Sequence, residues 1–281
     1  HLLLFADDLK IFSKVTSIAD CILLQNVLEK IVTWCAKNKL PLNITKCHVV
    51  SYTRKKEYCS FDYSICNTSL IRCNVVKDLG VIFDNSFTFD DHIAHITTSS
   101  LKMLGFVIRS CKVFDDIETL KQVYYSYVRS KLEYCCIVWT PYYYCQKNAL
   151  ERVQRKFLKF LYFKAFSIYP QRGFDHATLL SKFDFKTLEF RRKIACLKFL
   201  YFLFHGKIDC AHLISLFDFY IPRVSTRSNL TFRLQVARTN LLIKSPIYVM
   251  SNLFNQISLV SDLNFSLLSE ILHAASYFFS N

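Results

Sequence analysis

Glycine and proline are scarce in this chain, four and five of 281 residues. No internal repeat and no low-complexity linker interrupts it. A C-x₂-C pair is also missing, although there are 12 cysteines, and its absence removes the strongest zinc signature. The cysteines sit scattered in apolar contexts such as Cys135-Cys136 and Cys196, which reads as reduced core thiols. Cys196, His205, Cys210 and His212 lack zinc-ligand spacing and read as structural. No charge-free apolar run reaches membrane-spanning length; the closest, Ile194 to Phe204, is interrupted by Lys198. No charged n-region with a cleavage site opens the sequence. The expectation is an intracellular chain, soluble or held in a larger assembly, in which triplets such as Asn43-Ile44-Thr45 have no glycosylation meaning.

Acidic residues are few as well: 22 against 36 Lys and Arg, a formal charge of +14. A polyanion is the natural partner, with counterion release as a source of affinity. Nucleic acid fits that description, and an anionic membrane surface is the competing one.

Two carboxylates break the apolar start of the chain. Leu2-Leu3-Leu4-Phe5-Ala6 and Leu9-Lys10-Ile11-Phe12 read as strands flanking Asp7-Asp8, a β-hairpin with two acids at its tip. Ionised carboxylates resist burial unless a cation or hydrogen bonds compensate. Adjacent ones on a turn can hold Mg²⁺ in the arrangement used for phosphoryl transfer. Asp-Asp is equally ordinary turn chemistry. Ser17-Ile18-Ala19-Asp20 then has capping-box spacing, and Leu24, Val27, Leu28, Ile31 and Trp34 recur at helical intervals, giving a helix expected to pack on the sheet beneath the aspartates. It ends near Lys37-Asn38-Lys39-Leu40-Pro41.

Phe5-Ala6-Asp7-Asp8 resembles the catalytic box of reverse transcriptases, and the residues after it resemble the palm of LINE-type (non-LTR retrotransposon) enzymes. Trp34-Cys35, Asn38, Leu40, Leu42-Asn43 and Lys46 are similar to the next palm motif. There the resemblance implies that Lys46 lies near the incoming triphosphate; without it, Lys46 is a solvated lysine. Leu79-Gly80-Val81-Ile82-Phe83-Asp84, with Phe87 and His92, resembles the palm-to-thumb strand pair that holds a primer end. Gly80 would allow close backbone approach or mark a bulge; Asp84 and His92 read as turn and cap residues. Arg129 to Tyr134, Val138-Trp139-Thr140-Pro141 and Leu150 to Phe157 resemble the region downstream of the palm.

That last stretch also makes a physical case. On a helix, Arg152, Arg155, Lys156 and Lys159 share one face, and Leu150, Val153, Phe157 and Leu161 lie opposite. One face packs and the other meets phosphates, tracking a duplex without reading its sequence; a solvated basic face is the alternative. Helical spacing also begins near Asp91 (Leu101, Leu104, Ile108) and Asp116 (Leu120, Val123, Tyr124, Tyr127, Val128). Phe183 to Gly206 reads as one or two helices with a basic cluster at Arg191-Arg192-Lys193. Pro222 and Pro246 bracket a loop-rich stretch with Arg223, Arg227 and Arg233. Aromatics such as Tyr201-Phe202 and those from Phe217 to Tyr220 read as core.

The expected architecture is α+β: the C-terminal half of a polymerase palm over 1–90, a helical thumb-like domain over 91–168 and a mostly helical region over 169–281. The resemblance implies an RNA-directed DNA polymerase using Mg²⁺ on Asp7 and Asp8. Its partners would be an RNA template with a DNA primer, or an RNA–DNA duplex, in a cytoplasmic ribonucleoprotein and the nucleus. The fingers, the first half of the palm and the third catalytic aspartate of that family are not among these 281 residues. They are expected from an upstream portion of the same polyprotein, and these residues alone are expected to be inactive. The alternatives are a basic binding module without chemistry, and a decayed remnant.

Overall fold

The computed structural model describes residues 1–221, 230–258, 261–263 and 266–279. Pro222, Arg223 and Arg227 lie outside the described residues. The chain is mixed α+β and divides into two compact units, His1–Thr88 and Phe89–Asn281.

The first unit is built from two-stranded pieces. β1 (Leu2–Phe5) and β2 (Asp8–Ile11) form the expected antiparallel hairpin, with Phe5 opposite Asp8. Helix α1 (Ile18–Lys37) follows, and its capping box is present: Asp20 N–H donates to the Ser17 hydroxyl, and the Asp20 carboxylate accepts from Ser17 N–H. The buried side of α1 is not the expected stripe. Cys21 and Cys35 are buried, while Val27 and Trp34 are exposed. Nor is its main strand partner the aspartate hairpin. The Gln25 side chain donates to Ser64 O (3.0 Å) and accepts from Ser64 N–H (3.1 Å), which ties α1 to β4 (Ser64–Ile65) and turns the Cys21–Gln25–Cys35 side inward.

After a 3₁₀ turn at Ile44–Lys46, β3 (His48–Val49) pairs in parallel with β6 (Ile71–Arg72). β4 pairs antiparallel with β5 (Thr68–Ser69), and β7 (Val75–Asp78) with β8 (Val81–Asp84). Among the described residues no sheet exceeds two strands. The buried apolar side chains of this unit are Cys21, Cys35, Tyr63, Ile65 and Val81, a thin core for 88 residues.

The second unit is helical. α2 (Asp90–Ser110) packs on α5 (Tyr144–Phe166). α3 (Ile117–Tyr124) is capped by Asp116, whose carboxylate accepts from Thr119 N–H, and runs through a π-helical turn (Tyr125–Arg129) into α4 (Ser130–Glu133). The π turn adds a residue to the helical repeat and shifts the apolar face, so Val128 is buried while Tyr127 is exposed. Leu104, Leu120, Tyr124, Leu132, Leu150 and Phe157 form the centre, where Phe157 stacks flat on Tyr124 at 4.1 Å. Trp139 is fully buried, donates its indole N–H to Tyr134 O (2.8 Å) and meets the His92 ring edge-on at 5.1 Å.

α6 (His176–Lys182) also packs on α5. α7 (Leu188–Phe204) leads to a second cluster with α10 (Pro246–Ile257) and α11 (Leu268–Phe279), after the short α8 (Ala211–Ile214) and α9 (Asn240–Lys244). Leu200, Phe232, Phe254 and Ile271 lie at its heart, and the Asn255 amide pairs with both the N–H and C=O of Phe232. The aromatics expected in the core divide: Phe217 is buried, whereas Phe219 and Tyr220 are exposed. No described helix is long and apolar enough to cross a membrane.

Candidate functional site

Two places carry the candidate residues, one in each unit. In the first, Ala6 takes a left-handed conformation (φ 51°) and turns the chain, so that Asp7 sits in the turn and Asp8 opens β2. Both aspartates are exposed. Water solvates both carboxylates, so burial supplies no argument for a cation at this turn. The flanking strand is exposed too, with Leu2, Leu3, Leu4 and Phe5 each more than half accessible. Lys10, two residues along β2, forms an ion pair with Asp78 of β7.

Lys46 ends the 3₁₀ turn and is exposed; no ion pair or hydrogen bond joins it to Asp7 or Asp8 among the described residues. Leu79 (φ 44°) and Gly80 (φ 84°) are the two turn residues between β7 and β8, a primed hairpin turn that needs positive φ at both positions. Gly80 is therefore accounted for by turn geometry. Asp84 acts as a local cap, accepting from the N–H groups of Ser86 (2.9 Å) and Thr88 (2.8 Å).

Among the described residues no three or more His, Cys, Asp or Glu side chains group to hold a metal. Asp7 and Asp8 could supply two oxygen ligands, but a two-metal phosphoryl-transfer site needs further carboxylate. The residues present do not fit a complete Mg²⁺ centre. The thiols offer none either: all twelve cysteines are free, five of them buried, and Cys66, Cys135 and Cys145 are exposed rather than in the core. His205 stacks on Tyr201 at 3.8 Å.

The second place is α5. Its start is held where Gln146 bonds Asp90 at the head of α2 and accepts from Tyr143 N–H. Its inner face is as expected from spacing: Leu150, Val153, Phe157 and Leu161 are fully buried. Gln154 joins them, accepting from the Tyr124 hydroxyl (3.3 Å) and donating to Lys186 O (3.0 Å). With that side locked, the other must face out. Arg152 and Lys156 are exposed, Arg155 and Lys159 half-buried, and with Asn148 they line a shallow depression of 290 Å³. No carboxylate pairs with these four cations among the described residues.

The acid of the same helix points the other way. Glu151 accepts from the N–H groups of Leu188 and Glu189 at the head of α7, and its second oxygen lies 3.5 Å from His176 Nε2. This inward turn keeps the outer face free of negative charge, and residue order alone does not reveal it.

The basic cluster at 191–193 is dispersed by contrast. Arg191 forms an ion pair with Glu133, and Lys193 sits over the Phe279 ring at 4.9 Å. Arg192 is buried, and neither Nη atom has a hydrogen-bond partner among the described residues; burial lowers its pKa, while Glu151 acts in the opposite sense. These three are structural. Compared with protein-family models, with curated proteins and with solved structures, the chain shows no match to any of the three.

Proposed function

We propose that this chain binds nucleic acid through the outer face of α5, as the palm-to-thumb portion of a LINE-type reverse transcriptase. The observation that carries the binding reading is the row Arg152, Arg155, Lys156 and Lys159 around one depression, without acidic partners among the described residues, on a helix whose opposite face is buried. Such a row meets phosphates and releases counterions whatever the base sequence, as a polymerase surface must. An RNA template with a DNA primer, or an RNA–DNA duplex, is the proposed partner. The polymerase part rests on the resemblance of Phe5-Ala6-Asp7-Asp8, of 34–46, of 79–92 and of 129–157 to that family. Asp7 and Asp8 then contribute two ligands for Mg²⁺ in a polypeptide that supplies the rest, Lys46 lies towards the triphosphate, and Gly80 belongs to the hairpin beside the primer. The same resemblance carries the proposed location in a cytoplasmic ribonucleoprotein and the nucleus.

The test is the salt dependence of binding to an RNA–DNA duplex. Replacing Arg152, Arg155, Lys156 and Lys159 with Gln lowers the slope of log K against log salt by about three to four, near 0.9 for each phosphate no longer neutralised. An unchanged slope overturns the reading. In a longer polypeptide with primer-extension activity, Asp7→Asn abolishes synthesis and leaves binding intact.

A further inference from the structure

The basic row does not stand alone on its helix face. Tyr144 lies one turn before Asn148 and two before Arg152, and Phe163 lies one turn after Lys159. At 100° per residue all of these fall within an arc of about 120°, and the stripe from Tyr144 to Phe163 is about 28 Å long. Tyr144 is 82% exposed and Phe163 43%.

Neighbouring rings do not offer what these two do. The ammonium of Lys244 sits over Tyr142 (3.9 Å) and Tyr143 (4.5 Å), and that of Lys182 over Phe166 (3.9 Å), so a cation already takes one π face of each ring. Tyr144 has no ring, cation or side-chain hydrogen-bond partner among the described residues, and the only ring near Phe163 among them is Tyr169, tilted at 6.4 Å. Open aromatic faces thus bracket a row of phosphate-binding cations on one straight element.

We infer that this track takes single-stranded nucleic acid, with phosphates on Arg152, Lys156 and Lys159 and unpaired bases stacked on Tyr144 and Phe163. The inference rests on the proposed nucleic-acid binding and deepens it: of an RNA template with a DNA primer, this face takes the unpaired template stretch rather than the duplex. A base inside a duplex has both faces covered by its neighbours, so it cannot stack on a protein ring. An unpaired base can, and stacking beside a basic groove is how sequence-tolerant single-strand binding is built. The four cations supply the charge complementarity, and Glu151, the one acid of α5, turns inward away from them.

The experiment measures dissociation constants of the full chain for three probes: an oligothymidylate, an abasic oligomer of equal length, and a blunt RNA–DNA duplex. Tyr144→Ala and Phe163→Ala each weaken oligothymidylate binding by about 5- to 150-fold, and leave the abasic oligomer, the duplex and the salt slope unchanged. Tyr144→Phe keeps the ring and binds as the unsubstituted chain does. Both side chains are exposed, so the alanine variants retain the fold. Equal affinity of the unsubstituted chain for the thymidylate and abasic oligomers overturns the stacking inference, as does tight oligothymidylate binding by both alanine variants. If the four-Gln variant binds every probe like the unsubstituted chain, the proposed nucleic-acid binding itself has failed.

Discussion

His92 makes stability depend on pH in a direction set by its surroundings. It is 2% exposed in α2, edge-on to the buried Trp139, and burial first and the nearby His95 second lower its pKa from 6.5 to about 4. The folded protein therefore holds the ring neutral, while the unfolded chain takes up a proton at about 6.5. Stability is level above that value and falls with acidification at a limiting slope of about 1.4 kcal/mol per pH unit. It levels again once the pH drops below the folded value. The gap between the two values sets a ceiling of about 3.4 kcal/mol on the loss. Urea unfolding followed by circular dichroism at neutral pH, at a mildly acidic pH and close to the folded value measures it. His92→Phe keeps an aromatic ring against Trp139 and removes the proton site. The difference in unfolding free energy between the two proteins should then shrink, or change sign in favour of the variant, as pH falls. The carboxylates of Asp20, Asp116 and Asp175, held low by capping hydrogen bonds, titrate in both proteins and cancel in that difference. A difference that stays constant across the range refutes the assignment.

Four further outcomes follow from the packing. Phe157→Ala removes the ring stacked on Tyr124 at the centre of the helical unit and costs about 3–5 kcal/mol, read from the urea midpoint. Arg192→Met replaces a buried guanidinium whose Nη atoms have no hydrogen-bond partner among the described residues with an apolar side chain of similar length; because desolvation outweighs the attraction of Glu151, the unfolding free energy from urea titration should rise, by about 1 kcal/mol. Asp7→Asn changes stability by less than about 0.5 kcal/mol, because the side chain is exposed in the turn; a large loss would make the residue structural. In hydrogen exchange, the β1–β2 amides should be replaced well before those of α5, since both hairpin strands lie on the surface; hairpin amides among the slowest would contradict that thin packing.

Local features of the fold are legible in the residue order. The hairpin around Asp7-Asp8 follows from two apolar runs with polar residues between them, and α1 begins where Ser17 and Asp20 can cap each other. The burial of Leu150, Val153, Phe157 and Leu161 follows from 3.6-residue periodicity. Expectation and structure part where a partner decides. Spacing places Trp34 inward, but α1 turns its Cys21 and Gln25 side to β4 and leaves Trp34 exposed. The π turn at Tyr125–Arg129 alters which residues of one apparent helix face the core. Arg191-Arg192-Lys193 reads as a charged patch, yet Glu133 and the Phe279 ring, both remote in sequence, hold its two outer members.

By itself, then, the order of residues determined the leading hairpin, the start of α1 and the two-sidedness of α5, because periodicity and capping act over a few residues, whereas the two-residue strands between His48 and Arg72 left no such pattern. It also determined the excess of positive charge, which is a property of composition. Only the tertiary structure decided which charges remain available. Glu151 and Arg192 are drawn into the interior, where backbone N–H groups, His176 and desolvation act on them, while Arg152, Lys156 and Lys159 are left facing water between two open aromatic rings. Exposure depends on what packs against the other side of each helix, and those contacts join residues dozens of positions apart.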